Sequence, residues 1–196
     1  MFNLKFCVWP GCNDPKSEDS RLCKKHRGGA YKEEIISYLQ SHDVIRDLKA
    51  PGLNFENLDL KNKHFINCYF HHTQWDNCSF DGSRFQMVFF DDSIFNYTSM
   101  EHVDMIHCVF TESALLESSW KGSDLVSVNW NRIKCRHCNF SESDLYYSRF
   151  VAASLKDVKF IDCNLKRVDF CLARLKRVSM RYSNVEEAYF QTENRE

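Results

Sequence analysis

Large apolar side chains return every fifth residue through most of this chain. From Phe55 to Phe190, the residues numbered in multiples of five fill 28 positions: thirteen Phe, seven Leu, three Trp and three Met, with only Cys135 and Val185 departing. Two residues earlier in each quintet the side chain is small. Twenty-four of those 28 positions are Ala, Ser, Thr, Cys or Val, the exceptions being Leu53, Leu58, Lys63 and Ile133. The other three positions are mostly polar or charged, and no insertion shifts the phase.

A period of five matches neither the helix nor the simple strand. In extended chain, residues two apart share a face. Each quintet therefore turns one large and one small side chain inward, then bends. The small residue follows from packing, because a densely filled interior that takes a phenyl ring at one site leaves little room beside it. A long run of one short unit predicts a solenoid.

Ser123-Asp124-Leu125, Ser143-Asp144-Leu145 and Cys163-Asn164-Leu165 carry a likeness to a known family. The run resembles the pentapeptide repeats, whose usual unit is Ala, then Asp or Asn, then Leu, then two variable residues. The resemblance covers about 70% of the chain. It departs in having Phe at most central sites and Asp or Asn at the preceding site in only 10 of 28 quintets. It implies an all-β solenoid, a right-handed quadrilateral β-helix with four quintets per coil. Twenty-eight quintets then make about seven coils, roughly 34 Å long at roughly 4.8 Å per coil, with residues 20 apart stacked.

Outside the repeat, Cys7, Cys12, Cys23 and His26 are spaced C-x4-C-x10-C-x2-H, with Pro10-Gly11 and Asn13-Asp14-Pro15 supplying turns. Four such ligands can close a tetrahedral structural zinc site, and so short a segment needs a metal to fold. The string also resembles small zinc knuckles. Lys24, Lys25 and Arg27 beside it read as a solvated charge run. Tyr31, Ile35, Tyr38, Leu39 and Ile45 lie at helical spacing, which predicts a helix over residues 30–48. The expected organisation is a zinc-binding module over 1–29, a capping helix region over 30–50, the repeat over 51–190 and a polar tail over 191–196. An exposed coil end is an unpaired strand edge, so the first two segments are expected to cap the first coil. The tail is too short to cap the other, which leaves open a homodimer through the C-terminal coil.

Composition changes this picture little. Six Gly and three Pro are few for a hairpin-built sandwich. Ten cysteines invite a disulfide reading, but Cys68, Cys78, Cys108, Cys138 and Cys163 hold the small inward position and Cys135 a central one. The register thus explains Cys135-x-x-Cys138 without redox or metal chemistry. Buried free thiols, with no secretory leader visible, point to a reducing, cytoplasmic setting. No stretch is long enough to span a membrane.

Charge is more informative. The formal net charge of -1 hides 11 acidic and 4 basic residues over 51–130, against 5 acidic and 12 basic over 131–181. Under a 20-residue coil, Arg136, Lys156 and Lys176 stack, with Lys134, Arg174 and Arg177 on the same side. This basic stripe is a candidate site for an anion or acidic partner. Asp104, Asp124 and Asp144 recur at the same interval, so like-charge ladders also arise from the repeat itself. No nucleophile–base constellation stands outside the register, and no catalytic residue is expected. The first functional reading is a non-enzymatic protein-interaction rod. A second is a DNA mimic acting on DNA gyrase or another topoisomerase, which the resemblance implies and the basic C-terminal coils disfavour. A third is nucleic-acid binding through the zinc module and the stripe.

Overall fold

The structure is a computed structural model that describes residues 29–191 together with Phe6, Cys7, Cys12, Asn13, Lys16 and Cys23. It divides into two compact units, Met1–Ser41 and His42–Glu196.

The second unit is a four-sided all-β solenoid of about seven coils. Its strands are three residues long: β1 (Val44–Arg46), β2 (Asn54–Glu56), β3 (His64–Ile66), β4 (Gln74–Asp76), β5 (Arg84–Gln86), β6 (Ile94–Asn96), β7 (Asp104–Ile106), β8 (Ala114–Leu116), β9 (Lys134–Arg136), β10 (Ser154–Lys156) and β11 (Arg174–Lys176). One parallel sheet runs β1-β3-β5-β7 and the other β2-β4-β6-β8-β9-β10-β11. Every register pairs residues 20 apart, as Phe55 with Trp75 and Leu155 with Leu175. The β1 face continues beyond β7 through single bridges, Asp104 to Asp124 to Asp144 to Asn164 to Asn184. Bridges alone make the other two faces, one starting at Lys49–Tyr69 and the other at Asp59–Ser79.

The central side chains fill the interior. From Phe55 to Phe170 almost all are fully buried. One ladder is aromatic for most of its length: Phe70, Phe90, Phe110, Trp130, Phe150, Phe170 and Phe190 stack in succession, with centroids 4.4 Å (Phe110–Trp130) to 5.9 Å (Trp130–Phe150) apart. Such stacking adds to simple burial. On the last coil Leu175, Val185 and Phe190 are exposed although they hold central positions.

Each corner is made by one residue. Positive φ falls on every fifth residue, two after each central side chain, from Asp47 to Glu187. Asn, Asp, His or Gly fill 15 of these 29 positions, and these are the types that tolerate the left-handed region best. Six glycines serve so long a chain because only three corners are Gly, while Asn, Asp and His take 12 of the 29. Gly82 and Gly122 also sit where a Cβ would lie 2.5 Å from Asn62 Oδ1 and 2.7 Å from His102 one coil below.

The first unit contains α1 (Gly29–Ser41). Tyr31, Ile35 and Leu39 are buried, the spacing expected of one helical face. The Ser41 hydroxyl donates to the Ser37 carbonyl at 2.7 Å at its last turn. The predicted helix over 30–48 is therefore too long. Residues 44–46 form β1, and Ile45 and Ala50 are fully buried central residues. The repeat starts about two quintets before Phe55. Ile45 fits both a helical stripe and the multiple-of-five phase, and the coil pairing of Ile45 with Phe65 decides between them.

Candidate interaction surface and metal centre

Five of the six residues of the basic stripe come together on β9, β10 and β11. Strand geometry sends the residues on either side of the buried central one outward. Lys134, Ser154 and Arg174 form one outward row, and Arg136, Lys156 and Lys176 the other. All but Lys156 are exposed, and Lys156 is half-buried. Among the described residues none of these five cations forms an ion pair; the Arg136–Lys156–Lys176 row sets like charges about 5 Å apart, and Ser154 separates Lys134 from Arg174 in the other. Arg177 is different. It lies at a corner and pairs with Asp157, its Nη2 2.6 Å from Oδ2. The Arg177 guanidinium holds the Asp157 carboxyl below its ordinary range. Arg177 is thus already neutralised and drops out of the stripe.

Pairing across one coil is common elsewhere. Arg132 meets Glu112 at 2.9 Å, Lys166 meets Glu186 at 3.0 Å, and Arg167 pairs with Glu187. His71 meets Asp91 at 3.1 Å. The 20-residue register produces these contacts by setting opposite charges one above the other. On β9–β11 the same register sets cation above cation in the column Arg136, Lys156 and Lys176.

The sheet carrying the stripe changes character along its length. Its outward residues are Asn54, Glu56, Gln74 and Asp76 on the first coils, Ile94, Ala114 and Leu116 in the middle, and the cations at the end. Two faces round, Asp104, Asp124 and Asp144 make a carboxylate ladder. Partial burial, then the neighbouring Asp104 and Asp144 charges, push the Asp124 carboxyl above its usual value.

In the first unit Cys7, Cys12 and Cys23 converge, their sulfurs all within 4.8 Å of one another. Cys7 and Cys23 are buried, and Cys12 Sγ lies 3.8 Å from Cys23 Sγ. A tetrahedral zinc thiolate with Zn–S of about 2.3 Å has a sulfur–sulfur edge of about 3.8 Å, so the three thiols fit that donor set. Their fourth expected partner, His26, lies outside the described residues. Burial, then the Cys7 and Glu34 charges, raise the Tyr31 phenol above its ordinary value.

Two family models cover most of the solenoid: the pentapeptide repeat region over residues 113–190 and the pentapeptide repeats (8 copies) over residues 76–112. The chain belongs to the pentapeptide-repeat family. No curated protein matches it in sequence. Solved structures similar to it include HetL from the cyanobacterium Nostoc sp. Strain PCC 7120, a pentapeptide repeat protein involved in heterocyst differentiation regulation, at 10% identity and TM-score 0.39 over 80% of this chain and 93% of that one. Rfr23 from the cyanobacterium Cyanothece 51142 aligns at 8% identity and TM-score 0.42 over 81% and 99%. QnrB1, a plasmid-mediated fluoroquinolone resistance protein, aligns at 11% identity and TM-score 0.36 over 75% and 83%.

Among pentapeptide repeats of this kind the inward small residue is easily read as a spacer only. Here it also bonds. Ser83, Ser113, Ser123, Ser143 and Ser148 donate to the carbonyl of the central residue 23 positions earlier, at 2.6 to 3.0 Å. Several accept a backbone N–H from the coil below as well, as Ser123 does from Val103 at 3.1 Å. The sequence signal for this was the choice of Ser over Ala at 8 of the 28 inward sites. The cysteines keep to the register as expected. Burial pushes the Cys68 thiol up to about 11 and the Cys108 thiol up to about 12, and Cys135 is raised by complete burial. None of these is a poised nucleophile.

Proposed function

We propose that this chain is a non-enzymatic interaction scaffold that offers the outer surface of β9–β11 to an acidic protein partner. One observation carries the reading: Arg136, Lys156 and Lys176 stack as like charges on one parallel sheet, with Lys134 and Arg174 on either side of Ser154 in the neighbouring row, an arrangement that costs free energy until an anion relieves it. Affinity capture with the wild-type chain and with Lys156→Glu/Lys176→Glu tests it. Partners held by the wild type should be released by raised salt and missing from the variant; an unchanged set of partners would count against the surface.

The same reading gives the N-terminal unit a structural zinc held by Cys7, Cys12, Cys23 and His26. The convergence of three thiols at a spacing that suits the ion supports it, and the ion would hold together a segment with little core of its own. Metal analysis should return one zinc per chain, falling to none in Cys12→Ser/Cys23→Ser. Metal-free wild-type protein with freely alkylated Cys7, Cys12 and Cys23 would end this part of the proposal. The seven cysteines of the solenoid, Cys68 to Cys171, form no disulfide, which suits a reducing compartment such as the cytoplasm.

One observation favours a second reading. The coils over residues 51–130 carry a net charge of -7, from 11 acidic and 4 basic residues, and include Asp104 and Asp124 of the carboxylate ladder. That surface suits a DNA mimic acting on a topoisomerase, and a gyrase supercoiling assay without effect at saturating protein would remove it.

A further inference from the structure

The basic surface is not uniform. A groove of about 680 Å³ opens along its edge, lined among others by Arg132, Lys134, Ala152, Ser154, Arg174 and Lys176. Its shape follows from side-chain length. On β9 and β11 the outward residues are the long Lys134 and Arg174, while the rung between them carries only Ser154, with Ala152 at the adjoining corner. The short middle rung leaves a notch between two cations that stand two coils apart, about 10 Å at the backbone. Arg132 on its rim is occupied by Glu112 at 2.9 Å. Lys134 and Arg174 form no ion pair among the described residues, and the exposed Ser154 hydroxyl lies at the floor between them.

The geometry points to a phosphate monoester as the group held in this notch, anchored by Lys134, Arg174 and the Ser154 hydroxyl. This rests on the interaction reading above and names the group the partner presents. Three donors from three successive coils match the three terminal oxygens of a phosphate monoester, whereas a carboxylate has two. Arg174 supplies a planar fork and Lys134 a point charge, the two usual ways of meeting phosphate. A dianion also answers the two unpaired cations more fully than a monoanion does. A long polyanion fits worse. The basic rows span only three strands, and the same sheet presents Ala114 and Leu116 next and then Asp76 and Glu56, so a nucleic-acid backbone extended along it would leave the cations and meet carboxylates.

Titration of the isotope-labelled full chain, followed by backbone amide NMR, tests this with three probes: O-phosphoserine, acetate and a short DNA duplex. O-phosphoserine should bind saturably, with shifts centred on residues 132–134, 152–154 and 172–176. Acetate should bind more weakly by about tenfold, the difference expected for one lost charge-assisted contact. Affinity for O-phosphoserine should fall below about pH 6, where the dianion takes up a proton. Arg174→Glu and Ser154→Asp alter exposed side chains and should abolish the site with the fold intact, while Arg84→Glu on the other sheet makes the same change of net charge as Arg174→Glu and should leave binding unchanged. Unsaturable shifts spread over all cations, acetate binding as well as O-phosphoserine, or DNA displacing it and binding more tightly would each overturn the assignment. If Lys156→Glu/Lys176→Glu loses its partners while O-phosphoserine does not bind, the interaction surface stands and the notch falls.

Discussion

Ser123 occupies an inward position with almost no solvent exposure, 3%, yet its hydroxyl is fully used. It donates to the Met100 carbonyl at 3.0 Å and accepts the Val103 N–H at 3.1 Å. Both partners belong to the coil below, so one small side chain joins two coils. Ser123→Ala keeps the packing and leaves a carbonyl and an N–H without that partner, which should cost about 1–3 kcal/mol. Ser123→Cys keeps a weak donor and should cost less, as the Cys108 Sγ to Phe85 carbonyl contact of 3.5 Å at an equivalent site suggests. Urea midpoints rank the two variants, and a Ser123→Ala midpoint equal to wild type would mean the hydroxyl contributes only bulk. Part of this was open to sequence reading and part was not. Size at the small site is set by packing and shows as a restricted alphabet. Hydrogen bonding is hidden, because Ser, Thr, Cys, Val and Ala share the site and only the first two can both donate and accept strongly. The corner residues were legible in principle, since Asn, Asp, His and Gly gather two places after the central residue, but Met87, Tyr97 and Leu172 take the same positive φ and blur the signal.

At the scale of one quintet, Ile133 and Cys135 break the pattern in opposite directions. Ile133 is large at the small site and Cys135 is small at the large site, and both are fully buried. They lie two residues apart on the inward face of one coil, so the volume missing from one is supplied by the other. That exchange accounts for Cys135-x-x-Cys138 by packing. It gives a sharp expectation for the pair. Cys135→Leu alone restores the usual central residue beside an Ile that already fills the space, and overpacking should destabilise by about 1–3 kcal/mol. Ile133→Ala alone leaves a cavity and should cost about 2–5 kcal/mol. The double variant recreates the ordinary quintet, and its loss should be smaller than the sum of the single losses by about 1 kcal/mol or more. Additive losses in a denaturant-based double-mutant cycle would show that the two deviations are independent. The strand positions themselves were legible because nothing interrupts the phase. The N-terminal limit was not, since Ile45 satisfies two periods at once and only the pairing with Phe65 separates them.

Across the solenoid as a whole, a strict 20-residue register converts sequence into vertical columns, and each column acts according to what fills it. Opposite charges in a column neutralise each other, as Lys166 and Glu186 do. Like charges accumulate, as on β9–β11 and along Asp104, Asp124 and Asp144. The basic columns could be read from the sequence by counting in twenties, whereas the notch could not, because it depends on Ser154 and Ala152 being short between longer neighbours. The thiols add a further property of the whole unit. Burial raises Cys68 to about 11 and Cys108 to about 12, from an ordinary value of 9.0, and lifts Cys78 and Cys163 in the same direction. The folded state therefore keeps protons that the unfolded chain releases once pH passes about 9. A raised thiol pKa contributes stability that is fully present below the unfolded value and is lost as pH climbs toward the folded one. Melting temperature should accordingly be flat near neutrality and fall between about pH 9 and about pH 12. Cys108→Ser removes a strongly raised thiol and places at that site the residue used at Ser113 and Ser118, so it should fold and show a shallower alkaline fall. Parallel melting curves for wild type and variant across that range would mean the alkaline loss comes from other groups, such as the exposed tyrosines and lysines.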